Sequence, residues 1–140
     1  MINIHGTLIS YDNKGILLIG KSGSGKSDLA LRMIINHKAF LVADDRVILE
    51  NIDNKLIGQA PENLFGLIEI RGIGIIECRA IRKIDICLCV ELCDNKYDIE
   101  RMPDDSFIDF LDIKIPKIKL HAFECSTTCK IIAKISGKIS

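Results

Sequence analysis

The sequence predicts a mixed α/β fold built on a phosphate-binding loop, and three observations carry that prediction. The run Gly20-Lys21-Ser22-Gly23-Ser24-Gly25-Lys26-Ser27 satisfies G-x-x-x-x-G-K-[ST] directly after the apolar run Ile16-Leu17-Leu18-Ile19 and before a helical stretch at residues 28–35. Most other apolar residues fall in short extended runs separated by turn residues. The turn Asp12-Asn13-Lys14-Gly15 stands just before the strand that feeds the loop, so a hairpin enters it. An ordinary parallel nucleotide-binding sheet needs a crossover there instead.

Residues 2–10 have strand character and form the first arm of that hairpin. The glycines of the loop let successive N–H groups turn inward around phosphate oxygens, and the helix that follows adds its N-terminal dipole. Ala39-Phe40-Leu41-Val42-Ala43 predicts a buried strand ending in Asp44-Asp45. A second hairpin is predicted where Val47-Ile48-Leu49-Glu50 and Lys55-Leu56-Ile57-Gly58 flank Asn51-Ile52-Asp53-Asn54. Pro61 opens a short turn or helix through Phe65. Leu67-Ile68-Glu69-Ile70 is extended and runs into Arg71-Gly72-Ile73-Gly74-Ile75-Ile76, read as a loop. Residues 84–92 form a clear strand, 93–106 a polar loop, and 113–120 an edge strand in which Pro116 is tolerated. The last helix covers 127–136, with Cys129, Ile132, Ala133 and Ser136 at helical spacing, Ser126 as its cap and Gly137 as its stop.

The chain has 140 residues, which predicts one domain over 1–140. Nineteen Lys and Arg balance 19 Asp and Glu, so no basic field points to nucleic acid. Hydrophobic residues make up 48% of the chain, yet no apolar run approaches the roughly 20 residues of a membrane span. Residues 1–6 lack a basic start followed by an apolar stretch, so no signal peptide and a cytoplasmic location are expected. None of the six cysteines is spaced as C-x-x-C, and the histidines do not group with them. Cys87 and Cys89 alternate with Leu88 and Val90 and read as small apolar residues on one strand face, so a metal site built on the cysteines is not expected.

Lys26 is placed to reach the outer phosphates of a bound nucleotide, and the Ser27 hydroxyl to ligate Mg2+. Asp44 and Asp45 sit at the end of the strand after the loop's helix, on the edge where the phosphates lie. One carboxylate can take the proton of an attacking hydroxyl while the other holds metal or structure. The alternative is an acidic turn in which Asp45 pairs with Arg46. Glu69 and Arg71, two apart on a strand, share a face: the carboxylate suits a magnesium shell, and the arginine suits a transferring phosphate. A surface ion pair explains the same spacing. His5 reads as a core histidine on its own, and gains weight because its strand hairpins onto the one feeding the loop.

Taken together, His5-Gly6-Thr7, the loop at 20–27, Val42-Ala43-Asp44-Asp45-Arg46-Val47 and Ile68-Glu69-Ile70-Arg71-Gly72-Ile73-Gly74-Ile75-Ile76 resemble the catalytic domain of the HPr kinase/phosphorylase family. The E-I-R-G-x-G-I-I run is that family's signature, and the likeness extends from His5 to about Lys119. The resemblance implies a phosphoenolpyruvate carboxykinase-like nucleotide-binding domain. It implies that Lys26 and the loop amides bind ATP phosphates and that Ser27 and Glu69 hold Mg2+. It makes Asp44 the base that deprotonates a serine of HPr, the small phosphocarrier of the sugar phosphotransferase system, and the acid in the reverse reaction. It sets His5 beside the transferring phosphate, makes residues 68–77 a loop shared by both directions, and implies a homo-oligomer, a hexamer in the family.

Longer members carry an extra N-terminal domain, so the chain resembles a short form expected to serve a nitrogen-type branch of HPr-like proteins. They also carry an arginine after the P-K-I strand. Here His121-Ala122-Phe123-Glu124-Cys125-Ser126-Thr127-Thr128 has none and residues 79–83 are shortened, which favours kinase over phosphorylase activity. A small-metabolite kinase predicts a lid with several arginines, and 93–106 offers only Arg101. A nucleotide-sensing regulatory module that binds ATP without transfer is the remaining alternative.

Overall fold

The structure is a computed structural model describing residues 1–139. Gly6 divides the predicted first strand into β1 (Ile2–His5) and β2 (Thr7–Tyr11), which pair with different neighbours. The remaining strands and α-helices are β3 (Lys14–Ile19), α1 (Lys26–His37), β4 (Phe40–Ala43), β5 (Arg46–Ile52), β6 (Lys55–Gln59), β7 (Leu67–Ile70), β8 (Gly74–Glu77), β9 (Lys83–Leu92), β10 (Phe107–Phe110), β11 (Ile113–Leu120) and α2 (Thr127–Ser136), with single 3-10 turns at Glu62–Leu64 and Lys96–Asp98. Both predicted hairpins form: β2–β3 turns at Asp12 and Asn13 and β5–β6 at Asp53 and Asn54, all four with positive φ. Asp and Asn tolerate that conformation, which matches the twist of a two-residue hairpin.

The main sheet is mixed and runs β1-β5-β6-β9-β3-β2-β4, with β11 also on β9 and β10 on β11. Its spine is β9. Residues Lys83 to Asp85 pair antiparallel with β6, the rest runs parallel to β3, and Cys89 to Leu92 run parallel to β11. Alternate residues of the central strands feed two cores. Ile9, Ile16, Leu18, Leu88 and Val90 pack with Leu29 and Met33 of α1 and Ile131 of α2. Leu8, Leu17, Ile86 and Cys89 face the other way, onto Val47, Leu49, Leu56 and Ile115 where the sheet curls over itself. Burial on both faces explains why β3 reads as an unbroken apolar run. Each fully buried Leu or Ile adds about 1.5–3 kcal/mol to the driving force.

Several details depart from the sequence reading. The expected glycine–isoleucine loop is half strand: β8 pairs antiparallel with β7 in a separate two-stranded hairpin, and its four residues are exposed. β11 is not an edge strand, because it lies between β10 and β9. Pro116, which has no N–H, is the last residue paired with β10 before β11 transfers to β9 at Lys117. The β3–β9 register skips Cys87, so that residue is exposed at a bulge while Cys89 is buried. The inner face of α2 is Thr127, Thr128 and Ile131, with Ile132 and Ile135 packed against the same core, while Cys129 and Ser136 are exposed. Ser126 precedes α2 without a side-chain cap bond, while Gly137 ends it at φ 74°. Among the described residues no helix is long and apolar enough to cross a membrane.

The burial of Cys89 has a measurable consequence. It pushes the thiol from 9.0 up to about 12, so between those values the unfolded chain loses a proton that the folded chain keeps. Stability conferred by this site is therefore full below pH 9 and falls as pH rises, by about 1.4 kcal/mol per unit. Denaturant titrations at pH 8 and pH 10 should show a smaller loss for Cys89→Val than for the parent. Equal losses would contradict a thiol held neutral in the core.

Candidate active site

β3 delivers the chain into the loop and α1 leads it away, so the site begins at the seam between a fully buried strand and a helix start. Gly25 is the N-cap of α1 at φ 99°, and having no side chain it leaves the first-turn N–H groups free for an anion. No other residue fits: a Cβ here would stand 2.7 Å from Ala122 Cβ and 2.8 Å from Phe123 Cζ. Lys26 folds back over the loop, its Nζ donating to the carbonyls of Gly20 at 2.9 Å and Lys21 at 3.0 Å. Burial lowers its pKa, and the nearby carboxylates of Asp44 and Asp45 oppose that shift.

The strands bring the acidic pair to this loop. β4 ends at Ala43 beside Leu8 of β2, so Asp44 enters next to Thr7. Its carboxylate is buried and engaged on both oxygens. Oδ1 accepts from Ser27 Oγ at 2.7 Å and Thr7 Oγ1 at 3.0 Å, while Oδ2 accepts from the Glu69 N–H at 3.2 Å. Asp45 turns the other way, at φ 71°, with its carbonyl held by the Gly6 N–H at 3.1 Å. Its carboxylate is two-thirds exposed and lies 3.1 Å from His5 Nε2, so its partner is the histidine and not Arg46.

These groups share one cavity of about 650 Å³. Of the predicted residues, His5, Ser22, Gly23, Gly25, Lys26, Ser27, Asp44, Glu69 and Arg71 line it, and β7 with its turn supplies the last two. Gly20, Lys21 and Ser24 shape the loop without lining the cavity. Gly20 and Lys21 hold the lysine through their carbonyls, and Lys21 extends outward to within 3.9 Å of Asp94. Ser24 is buried, with its hydroxyl unpartnered among the described residues. Sequence reasoning missed Thr7, the His5–Asp45 pairing, Leu31 and Phe123. Thr7 was within reach, standing two residues after His5 on the arm that hairpins toward the loop. No motif marks Phe123.

Among the described residues no three His, Cys, Asp or Glu gather into a ready-made metal centre. Mg2+ does not need one, since one or two carboxylates plus substrate phosphates suffice. Ser27 and Glu69 both line the cavity and carry hard oxygen donors.

A hairpin-fed phosphate loop, set in a curled mixed sheet and faced by two carboxylates of unlike burial, defines a phosphate-binding α/β domain outside the ordinary parallel-sheet class. The chain belongs to the HPr Serine kinase C-terminal domain family, matching it over residues 1–138. It is 36% identical over 124 residues to the HPr kinase/phosphorylase of Malacoplasma penetrans, covering 81% of this chain and 41% of that one. It is 39% identical over 131 residues to the HPr kinase/phosphorylase of Thermoanaerobacter sp. strain X514, covering 85% of this chain and 42% of that one. The chain thus spans about two-fifths of the length of the curated relatives it matches. The solved structure of the Hpr(Ser) kinase/phosphatase from Coxiella burnetii superposes with a TM-score of 0.83 at 26% identity, covering 98% of this chain and 95% of that one.

Proposed function

We propose that the protein is an ATP- and Mg2+-dependent serine kinase acting on a phosphocarrier of the HPr type. The observation that carries this reading is the pair of carboxylates in one cavity with the phosphate loop: Asp44 on Ser27 Oγ at 2.7 Å, and Asp45 open to solvent on His5 at 3.1 Å. A module that only senses nucleotide needs the first arrangement and not the second.

The roles divide by burial. The loop amides and Lys26 bind the phosphates, Lys26 exchanging its carbonyl partners for the outer phosphate oxygens. Ser27 and Glu69 would hold Mg2+, which when bound neutralises charge on the transferring phosphate. Asp44, engaged by three donors, fixes Ser27 and the β7 backbone at Glu69. The resemblance makes Asp44 the base, but its engaged carboxylate fits proton transfer less well than the open Asp45. Asp45 takes the proton of the attacking serine hydroxyl, with His5 orienting its carboxylate. Arg71, exposed on the β7–β8 turn, meets charge building on the phosphoryl group. Residues 121–128 bring an aromatic ring and no arginine to this cavity, which favours transfer to serine over attack by inorganic phosphate on phosphoserine.

Incubation with γ-labelled ATP, Mg2+ and purified HPr or its nitrogen-branch relative should yield a labelled phosphoserine. Tight ATP binding with no label on either acceptor would overturn the kinase reading and leave a regulatory module.

A further inference from the structure

Phe123 is exposed in the cavity, yet everything around it is pinned. The residue is 59% exposed while Ala122 beside it is fully buried. The Ala122 carbonyl accepts from the Arg32 guanidinium of α1, and the His121 carbonyl accepts from Thr127 Oγ1 at 2.6 Å. His121 Nδ1 bonds the Cys93 carbonyl at 2.9 Å, and the histidine ring meets Phe123 edge-on at 5.8 Å. Close behind lies Gly25 of the phosphate loop. An apolar ring held rigidly in solvent against an anion site has lost little by folding, and gains when a flat ligand covers it.

The way such a loop orients a nucleotide says what would cover it. In a loop of this kind the lysine reaches the outer phosphates, so the inner phosphate and its nucleoside leave past the first turn of the helix. That turn carries Asp28, paired to Arg32 at 2.9 Å, and Arg32 is the residue that ties the Phe123 turn to α1. Leu31, three residues after Asp28 on the same helix, lines the cavity too. We propose that Phe123, with Leu31, seats the base of the bound nucleotide. This rests on the kinase reading only in requiring a nucleotide at the phosphate loop. A stacking contact of this sort accepts any purine, so modest discrimination between ATP and GTP follows.

Calorimetric titration of the Mg2+-containing protein with ADP and with pyrophosphate separates base from phosphate. Phe123→Ala should weaken ADP about 10-fold and leave pyrophosphate within two-fold, while Phe123→Tyr keeps both. Unchanged ADP affinity in Phe123→Ala, or a parallel fall for pyrophosphate, would overturn the base seat with the phosphate site intact. A parent protein that binds neither ligand would overturn the phosphate-site reading itself, and this inference with it.

Discussion

Asp45→Asn should slow phosphate transfer to an HPr-type acceptor about 10³-fold, the scale of a lost general base, with ADP affinity within two-fold of the parent. The reasoning starts from what each carboxylate already holds. Asp45 has only His5 and solvent, so an amide in its place fits the space but cannot take a proton. Asp44→Asn should also lower transfer, for a different reason. Its carboxylate accepts from Ser27, Thr7 and the Glu69 N–H at once. One of its two oxygens then becomes an N–H2 facing donors, so Ser27 and β7 shift and metal-nucleotide affinity drops together with rate. Single-turnover rates and ADP titrations on both variants separate the roles. Normal transfer by Asp45→Asn alongside unchanged ADP affinity in Asp44→Asn would hand the proton back to Asp44.

Lys26→Met should abolish measurable transfer, a loss of about 10³-fold or more, because the buried cation of the phosphate loop is gone. The same change should leave the melting temperature of the ligand-free protein unchanged or raise it. Burial already disfavours the charged amine, which is why its pKa falls, and only two loop carbonyls and the pull of two carboxylates compensate. Loss of transfer with a sharply lower melting point would mean that the lysine holds the loop together, not the phosphate. Thermal melts with and without ADP distinguish these: the parent should gain stability from ADP, and Lys26→Met should gain little.

Local chemistry made much of this protein readable. Asp-Asn turns announced two hairpins, and the G-x-x-x-x-G-K-[ST] run between a buried strand and a helix announced the phosphate loop. The β10–β11 hairpin was hidden because its turn residues are Leu111 at φ 52° and Asp112 at φ 66°. A leucine does not favour that conformation, and here a distant side chain supports it: Asn51 Nδ2 of β5 donates to the Leu111 carbonyl at 2.9 Å. The bulge at Cys87 was equally silent, since the alternation on either side of it looks regular in one dimension.

The sequence alone determined the phosphate loop, its helix and the acidic pair that follows, because each is a short run whose backbone and charge requirements are local. It could not apportion the two carboxylates. That depends on β4 closing against β2, which buries Asp44 on Thr7 and Ser27, and on the chain bending at Gly6, which leaves Asp45 facing His5. Nor could it bring Phe123 to Gly25, some hundred residues apart, which took the docking of the segment after β11 onto α1. Burial and desolvation, which separate one aspartate from its neighbour, are properties of the packed chain and not of the residue.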